Sequence, residues 1–311
     1  MATNQELIAK NTIVTTLDNN ALTYEEVNAF MDMAYDSTDF LRGIRHETRT
    51  SSQGTIDKIG VTGRNLRGKV ENVAASNIKA PTFPQVPYSV TPVVLPFEIT
   101  EEFIRQTQRV RKQSAEQIIL KHMTLNYGDN MQDIGFNGDT ATPNTDPDYD
   151  FLKINDGWLK IAKTKGNYID WEKISEAEKL GIFFELERAI PTRLRSAGVF
   201  KYFMHPNTFS ERLQRLAEKD TSASIQLQIT GGVKKINSYD VEEVPHIPEG
   251  KVIFTYHKNF VMVHTYDQQI RKTTEGKEAI YADKRFYAIH SDFDPIFEEP
   301  AAVAYVEGVT F

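Results

Sequence analysis

The chain has no cysteine among its 311 residues, so disulfides, thiolate metal ligands and thiol catalysis are excluded. It has no apolar run near the roughly 18 residues that a membrane-spanning helix needs. The start, MATNQELIAKNTIVTT, lacks the basic opening and apolar middle of a secretory signal, so a soluble protein made in the cytosol is expected. Net positive charge is also missing. With 36 basic and 43 acidic side chains the formal charge is −7, which argues against a dedicated nucleic-acid reader. Catalytic signatures are scarce. No G-x-S-x-G marks an activated serine. The histidines, His46, His122, His205, His246, His257, His264 and His290, form no H-x-x-x-H or H-E-x-x-H, so packing or surface roles are expected rather than a metal site. His257 and His264 lie seven residues apart, a spacing that puts them on opposite faces of a strand. No catalytic residue, metal or cofactor is expected.

Two stretches imitate ligand loops. GRNLRGKV, Gly63 to Val70, fits the first seven positions of a phosphate-binding loop. Such a loop needs a Ser or Thr hydroxyl for Mg²⁺ after its lysine, and here Val70 offers none. It must also open a helix. Pro81, Pro84, Pro87, Pro92 and Pro96 rule that out over most of the following stretch. A nucleotide-binding enzyme using Gly63–Lys69 is therefore the weakest alternative. The second stretch, DPDYDFLKINDG, places Asp146, Asp148 and Asp150 at alternate positions. A calcium loop then needs Gly at its sixth position and Glu at its twelfth, where Phe151 and Gly157 stand. A plain acidic loop is expected.

Charge is unevenly placed. Residues 1–41 carry one lysine against seven carboxylates, and residues 42–71 carry seven basic against three acidic residues. An acidic arm beside a basic segment suggests complementary contacts within or between subunits. Residues 43–72 hold five glycines, no aromatic residue and scattered aliphatics, so they read as strands broken by turns. A hairpin with so little apolar surface cannot support itself in water and must lie on something else or be disordered. Its proline-rich return, 81–96, reads as stiff and extended.

The rest alternates helices and strands. Val27, Phe30, Met31, Ala34 and Tyr35 recur at helical spacing behind a Thr23 cap. A long polar helix is expected over 100–127, capped by Thr100, led by Glu101 and Glu102 and stopped at Gly128. Residues 129–160 read as loop and short elements. A helix ending near Pro191, a strand over FKYFMH and a helix capped by Asn207 or Thr208 follow, then strands in VEEVPHIP, KVIFTY and NFVMVHTY. The tail reads as a strand-rich hairpin turning near Gly276. The class is mixed α+β with one projecting hairpin.

The order of these features resembles the major capsid proteins of tailed bacteriophages, which have the Hong Kong 97-type fold. The likeness lies in DMAYDSTDFLRGIR running into the basic hairpin and in KAPTFPQVPYSVTPVVLPFEITEEFI leading into the long helix. It continues through NMQDIGFNGDTAT with INDGWLKIAK, VFKYFMHPNTFSERL, and KEAIYADKRFYAIHSDFDPIFEEPAAVAYVEG. The resemblance implies an N-terminal arm and first helix over 1–42 and an extended E-loop over 43–95. A spine helix and first part of a peripheral domain would cover 96–150, and an axial domain 151–262. A peripheral hairpin would cover 263–294, and residues 295–311 would return to the axial domain. It further implies intersubunit contacts by Arg42, Arg45, Arg49, Lys58, Arg64, Arg67 and Lys69 in the E-loop. Arg105, Arg109, Arg111 and Lys112 would form the spine-helix surface.

The implied function is structural. Many copies would form hexamers and pentamers of an icosahedral or prolate shell around double-stranded DNA, located in the virion and assembled in the host cytoplasm. The implied partners are the chain itself, a portal and a decoration protein, with non-specific contact to DNA and none to a membrane. Because only a short arm precedes the first helix, a separate scaffolding protein, or none, is expected. Lys58 and Lys69 lie in the loop that some members cross-link, but no motif picks out an acceptor. An encapsulin-like compartment is the other reading of the same fold.

Overall fold

The computed structural model describes residues 31–57, 85–111, 115–175, 179, 181–195, 199–218, 234–265, 268–273 and 277–310. The expected Thr23 cap, Val27 and Phe30 lie outside them. Residues 31–35 are helical, with Met31 and Ala34 buried. Helix α1 (Asp39–Gly43) follows, capped by Thr38, whose hydroxyl accepts the Leu41 N–H at 3.1 Å and donates to Gln132 Oε1 at 2.7 Å. Next come β1 (Arg45–Arg49), β2 (Gln53–Asp57), β3 (Gln85–Ser89) and β4 (Thr91–Thr100). The segment expected as one hairpin over 43–95 is thus divided. Only β2 and β3 pair with each other, while β1 and β4 belong to the body. The base of the hairpin is less bare than its composition suggests. Tyr88 and Val90 pack on Val261, Val263 and Ile296, because the return strand brings its own apolar residues.

The long helix does not stop at Gly128. Helix α2 (Glu101–Arg111) starts as expected, with the Thr100 hydroxyl accepting the Phe103 N–H at 3.4 Å, and α3 (Ala115–Asn137) runs nine residues beyond the glycine. Gly128 is there for close approach. A Cβ on it would lie 2.1 Å from Ser37 Oγ and 2.8 Å from the Ala34 carbonyl. Gly135, two turns on, lets the Trp158 ring come equally close, at 2.7 Å from the position of a Cβ. A helical glycine costs about 1 kcal/mol against alanine, and here that cost permits two crossings. Met123, Tyr127, Met131 and Ile134 form the buried stripe, at the spacing of one helix face.

Two short helices follow, α4 (Tyr149–Leu152) and α5 (Trp158–Lys165), then β5 (Asn167–Asp170), α6 (Ile182–Ala189) and β6 (Phe200–Met204). Helix α7 (Pro206–Glu218) starts one residue earlier than the Asn207 cap expected from sequence. Pro206 opens it, and His205 Nδ1 accepts the Asn207 N–H at 3.0 Å. Thr208 instead accepts the Gly250 N–H at 3.0 Å. The remaining elements are β7 (Lys235–Ile236), β8 (Tyr239–Glu243), β9 (Val252–Tyr256), β10 (Phe260–Thr265), β11 (Gln269–Thr273), α8 (Lys277–Ala282), β12 (Lys284–Phe297) and β13 (Ala304–Glu307). Helix α8 replaces the simple strand-turn-strand expected in the tail; the expected turn residue, Gly276, lies outside the described residues.

The elements form two larger sheets. One has the order β1-β10-β12-β11, with β4 also pairing β12, and its axis is the fourteen-residue β12. β4 runs antiparallel to β12 from Thr91↔Phe293 to Thr100↔Lys284. It is an edge strand, where Pro92 and Pro96 are tolerated. The other sheet has the order β5-β13-β9-β6-β8-β7. Its central strands are apolar on both faces because both are covered. Tyr202, Phe254 and Val306 face a core with α6, while Phe203, Ile253 and Tyr305 face a core shared with the first sheet. Strand β10 belongs to the first sheet, and α5 packs in the shared core.

Candidate assembly interface

The charged residues singled out in sequence fall into three groups. Lys58, Arg64, Arg67 and Lys69, with the Gly63 loop, lie outside the described residues, as does Lys112. Arg109 and Arg111 lie on α2. The other four are engaged within the subunit. Arg42 pairs with Asp36 and Asp39, both at 3.2 Å. Arg45 pairs with Glu47 at 2.9 Å and Glu298 at 3.2 Å, and Arg49 with Glu47 at 2.8 Å. Part of the acidic-to-basic complementarity is therefore satisfied in one turn and along one strand. Arg105 is 71% exposed and only 3.9 Å from Asp283. Exposed pairs of this kind contribute at most about 1 kcal/mol each.

Several histidines are held by specific partners, while His122 is exposed. His246 Nε2 meets Asp129 at 2.9 Å, and His257 sits between Glu242 and the Phe40 carbonyl. A 3₁₀ turn, His257–Asn259, separates His257 from β10, so the strand-face argument for the pair does not apply. In the acidic loop, Asp146 accepts the Asp148 N–H at 2.8 Å and Asp150 pairs with Lys153 at 3.0 Å. Those carboxylates hold the loop's own shape. Among the described residues no cluster of three or more His, Asp or Glu could hold a metal ion.

Three surface features stand open. The first is the β2/β3 hairpin, among the described residues a two-stranded sheet of its own that packs on the body at its base. The Ser89 N–H there donates to Asp294 at 2.8 Å, and burial pushes the Asp294 carboxyl up to about 6. The second is the outer face of β4, β12 and β11. Cross-strand rows Pro96–Ala288–Arg271 and Glu98–Phe286–Thr273 line an open groove of about 650 Å³. Its floor is apolar, and its rims carry Arg271 on one side and Glu98 on the other. The third is the end of this sheet, where α2 and α8 meet. The Glu101 N–H donates to the Asp283 carbonyl at 2.9 Å, and Arg285 pairs with Glu101. There Phe103 is 50%, Ile280 66% and Tyr281 84% exposed. Neither the groove nor this patch was recognised in the sequence. Alternation in β4 could have marked Val94, Pro96 and Glu98 as one outward row, but the partners of that row are set by register.

No family model matches the chain. A Bacillus subtilis protein named as a prophage capsid protein, YqbE, is 22% identical over 319 residues, covering 97% of this chain and 98% of that one. A chain of the satellite phage P4 procapsid superposes with a TM-score of 0.68 at 16% identity, covering 91% of this chain and 99% of the other. The fold is the Hong Kong 97-type capsid fold. The capsid of an empty GTA particle matches as well, with a TM-score of 0.58 and 9% identity over 88% of this chain and 90% of that one. The superposition on the P4 chain spans both larger sheets and the helices α2 and α3 between them.

Proposed function

We propose that the protein is a major capsid protein of a tailed phage or prophage, a non-catalytic shell subunit that closes into hexamers and pentamers around double-stranded DNA. The observation that carries this reading is the hairpin. Among the described residues its two strands pair only with each other, and an isolated two-stranded hairpin is marginal in water. A neighbouring copy supplies what it lacks, and the groove on the outer face of β4, β12 and β11 is a surface able to receive it. Each subunit's stability then depends on its neighbours. The E-loop basics Lys58, Arg64, Arg67 and Lys69 contact the adjacent subunit, joined by those faces of Arg42, Arg45 and Arg49 that remain exposed. Arg105, Arg109, Arg111 and Lys112 face along the shell wall. The net charge of −7 keeps contact with packaged DNA weak and non-specific. A scaffolding protein, a portal and a decoration protein are its further partners. The shell assembles in the host cytoplasm and ends in the virion.

Electron microscopy of the purified full chain, with light scattering for mass, tests this. Closed shells or hexamer sheets are expected, with DNA inside particles taken from producing cells. Shells holding a protein cargo and no DNA would favour a compartment protein instead. A monomer or dimer at every concentration and salt, also after co-expression with a scaffold, would reject the shell reading.

The apolar patch at the spine end gives a second test. Ile280→Ser with Tyr281→Ser is expected to leave folding unchanged, since both side chains are largely exposed. Shell yield should fall at least about tenfold, because buried apolar anchors at interfaces each contribute about 1–3 kcal/mol. Unchanged yield with an unchanged circular dichroism spectrum would remove this patch from the interface.

A further inference from the structure

The root of the hairpin strand is held by three stacked rings from three elements. Tyr35 comes from the helical residues 31–35, His46 from β1 and His264 from β10. The parallel register pairs His46 with Met262 and Thr48 with His264, so both histidines lie on the core face of the sheet. Ring centroids are 3.8 Å apart for Tyr35 and His46, 5.2 Å for Tyr35 and His264, and 5.9 Å for the two imidazoles. Each imidazole makes one bond, to a carbonyl. His46 Nε2 is 2.9 Å from the Leu41 oxygen, and His264 Nδ1 is 3.1 Å from the Asp292 oxygen. A carbonyl only accepts, so these two nitrogens carry the protons and both rings are neutral. The other nitrogens, His46 Nδ1 and His264 Nε2, are buried without a partner. A proton added to either would be an N–H without an acceptor, on a cation packed against a second imidazole.

We propose that the Tyr35–His46–His264 stack is an acid-released latch that fastens β1, and with it the root of the hairpin, to the first sheet. The groups facing it offset an added charge only in part, and less than burial opposes it. From the segment carrying Tyr35 they are Asp32, which is exposed, and Asp36, which is engaged with Arg42. From β12 there is Asp292, whose carboxylate accepts the Thr265 N–H at 2.8 Å and the Thr265 hydroxyl. From α3 there is Tyr127, bonded to Ser291. Arg45, Glu47 and Arg49 stand on the opposite face of β1 and pair with one another and Glu298.

Burial holds both imidazoles below their ordinary value, His264 at about 3, with His46 adding to the effect. Above pH 6.5 neither the stacked nor the released rings bind the proton, and the latch is intact. As pH falls below 6.5 the released rings take up protons that the stacked rings refuse, so release gains. At pH 5, a histidine titrating at 6.5 when released and near 3 when stacked favours release by about thirtyfold. Asp294 at the same root acts with the opposite sign. Its raised carboxyl favours the docked form as pH falls through 6, so it cannot be the source of an acid release.

Hydrogen exchange of the full chain, read as protection factors at pH 7.5 and pH 5.0, tests the latch. Residues 45–49 are expected to lose protection at the lower pH, by about threefold from His264 after the opposing Asp294 effect and by more with His46, while β6, β9 and β13 keep theirs. His46→Gln and His264→Asn keep a neutral donor at the bonded position and cannot charge. Either change should reduce the acid response, and the double variant should abolish it. Equal protection of 45–49 at both pH values would overturn the proposal, as would the same loss in the double variant. If the double variant does not fold, the imidazole resonances of the unaltered protein decide. Titration of both rings near 6.5 with β1 still protected would overturn the latch, and titration of both well below 6.5 would support it. The latch lies within one subunit, so its failure and failure of the shell reading are seen separately.

Discussion

Replacing residues 53–89 by an Asn-Gly turn is expected to give a folded subunit that forms no closed shells. The graft is set by geometry. The Val90 N–H already donates to the Ser52 carbonyl at 2.9 Å, so the two ends meet at a bond that the shortened chain retains. Asn-Gly supplies the positive φ values that such a tight connection needs. The body loses Tyr88 and its packing on Val261, Val263 and Ile296, which costs about 1–3 kcal/mol. That is a fraction of the 5–15 kcal/mol typical of a domain. Strands β1 and β4 keep their partners β10 and β12. Shells lose every contact the loop makes with neighbours, repeated at each interface, so assembly should fall below detection in light scattering and micrographs. Closed shells from the shortened chain would show that the hairpin is dispensable and that the shell closes through other surfaces.

Trp158→Ala is expected to be the most damaging single core substitution, at about 3–5 kcal/mol. Trp158 is fully buried at the start of α5, with edge contacts to Phe40 of α1, Phe136 of α3 and Phe260 of β10. Its indole N–H donates to the Ile296 carbonyl of β12 at 3.0 Å. The side chain therefore joins α3, α1 and the first sheet. Its loss leaves a cavity and removes the bond to the Ile296 carbonyl. Gly135 lies under the ring, and a glycine cannot extend a side chain to fill the void. The unassembled subunit should melt roughly 10 °C lower. Trp158→Phe keeps most of the packing and loses the bond, so it should cost less than half as much. Denaturant titration of both variants checks the ranking. A loss under about 1 kcal/mol for the alanine variant would mean that the site collapses around the gap and that the joint lies elsewhere.

Some elements were legible because local chemistry decides them. Thr100 with Glu101 and Glu102 started α2 where the cap and dipole place it, and FKYFMH carried a buried strand in its composition. Other readings failed for a common reason: a residue type with two uses was given the local one. Gly128 reads as a helix stop and is instead the crossing point for the Ala34–Ser37 segment. The lysine-rich KEAIYADK reads as a strand and turn, yet forms α8 and displays Ile280 and Tyr281. The reading of Arg42, Arg45 and Arg49 as intersubunit contacts stands as a proposal, and each has a carboxylate beside it within the subunit.

The order of elements along the chain, the missing thiols, the excess acidity and the apolar poverty of the loop are properties of composition and neighbouring residues, and they point to the fold class without coordinates. The partners of each face are not. Register places Pro96, Ala288 and Arg271 in one row from strands nearly two hundred residues apart along the chain, and it stacks His46 on His264 across a gap of more than two hundred. Only closure of the sheets brings such residues together, because hydrophobic burial is non-directional and is indifferent to separation along the chain.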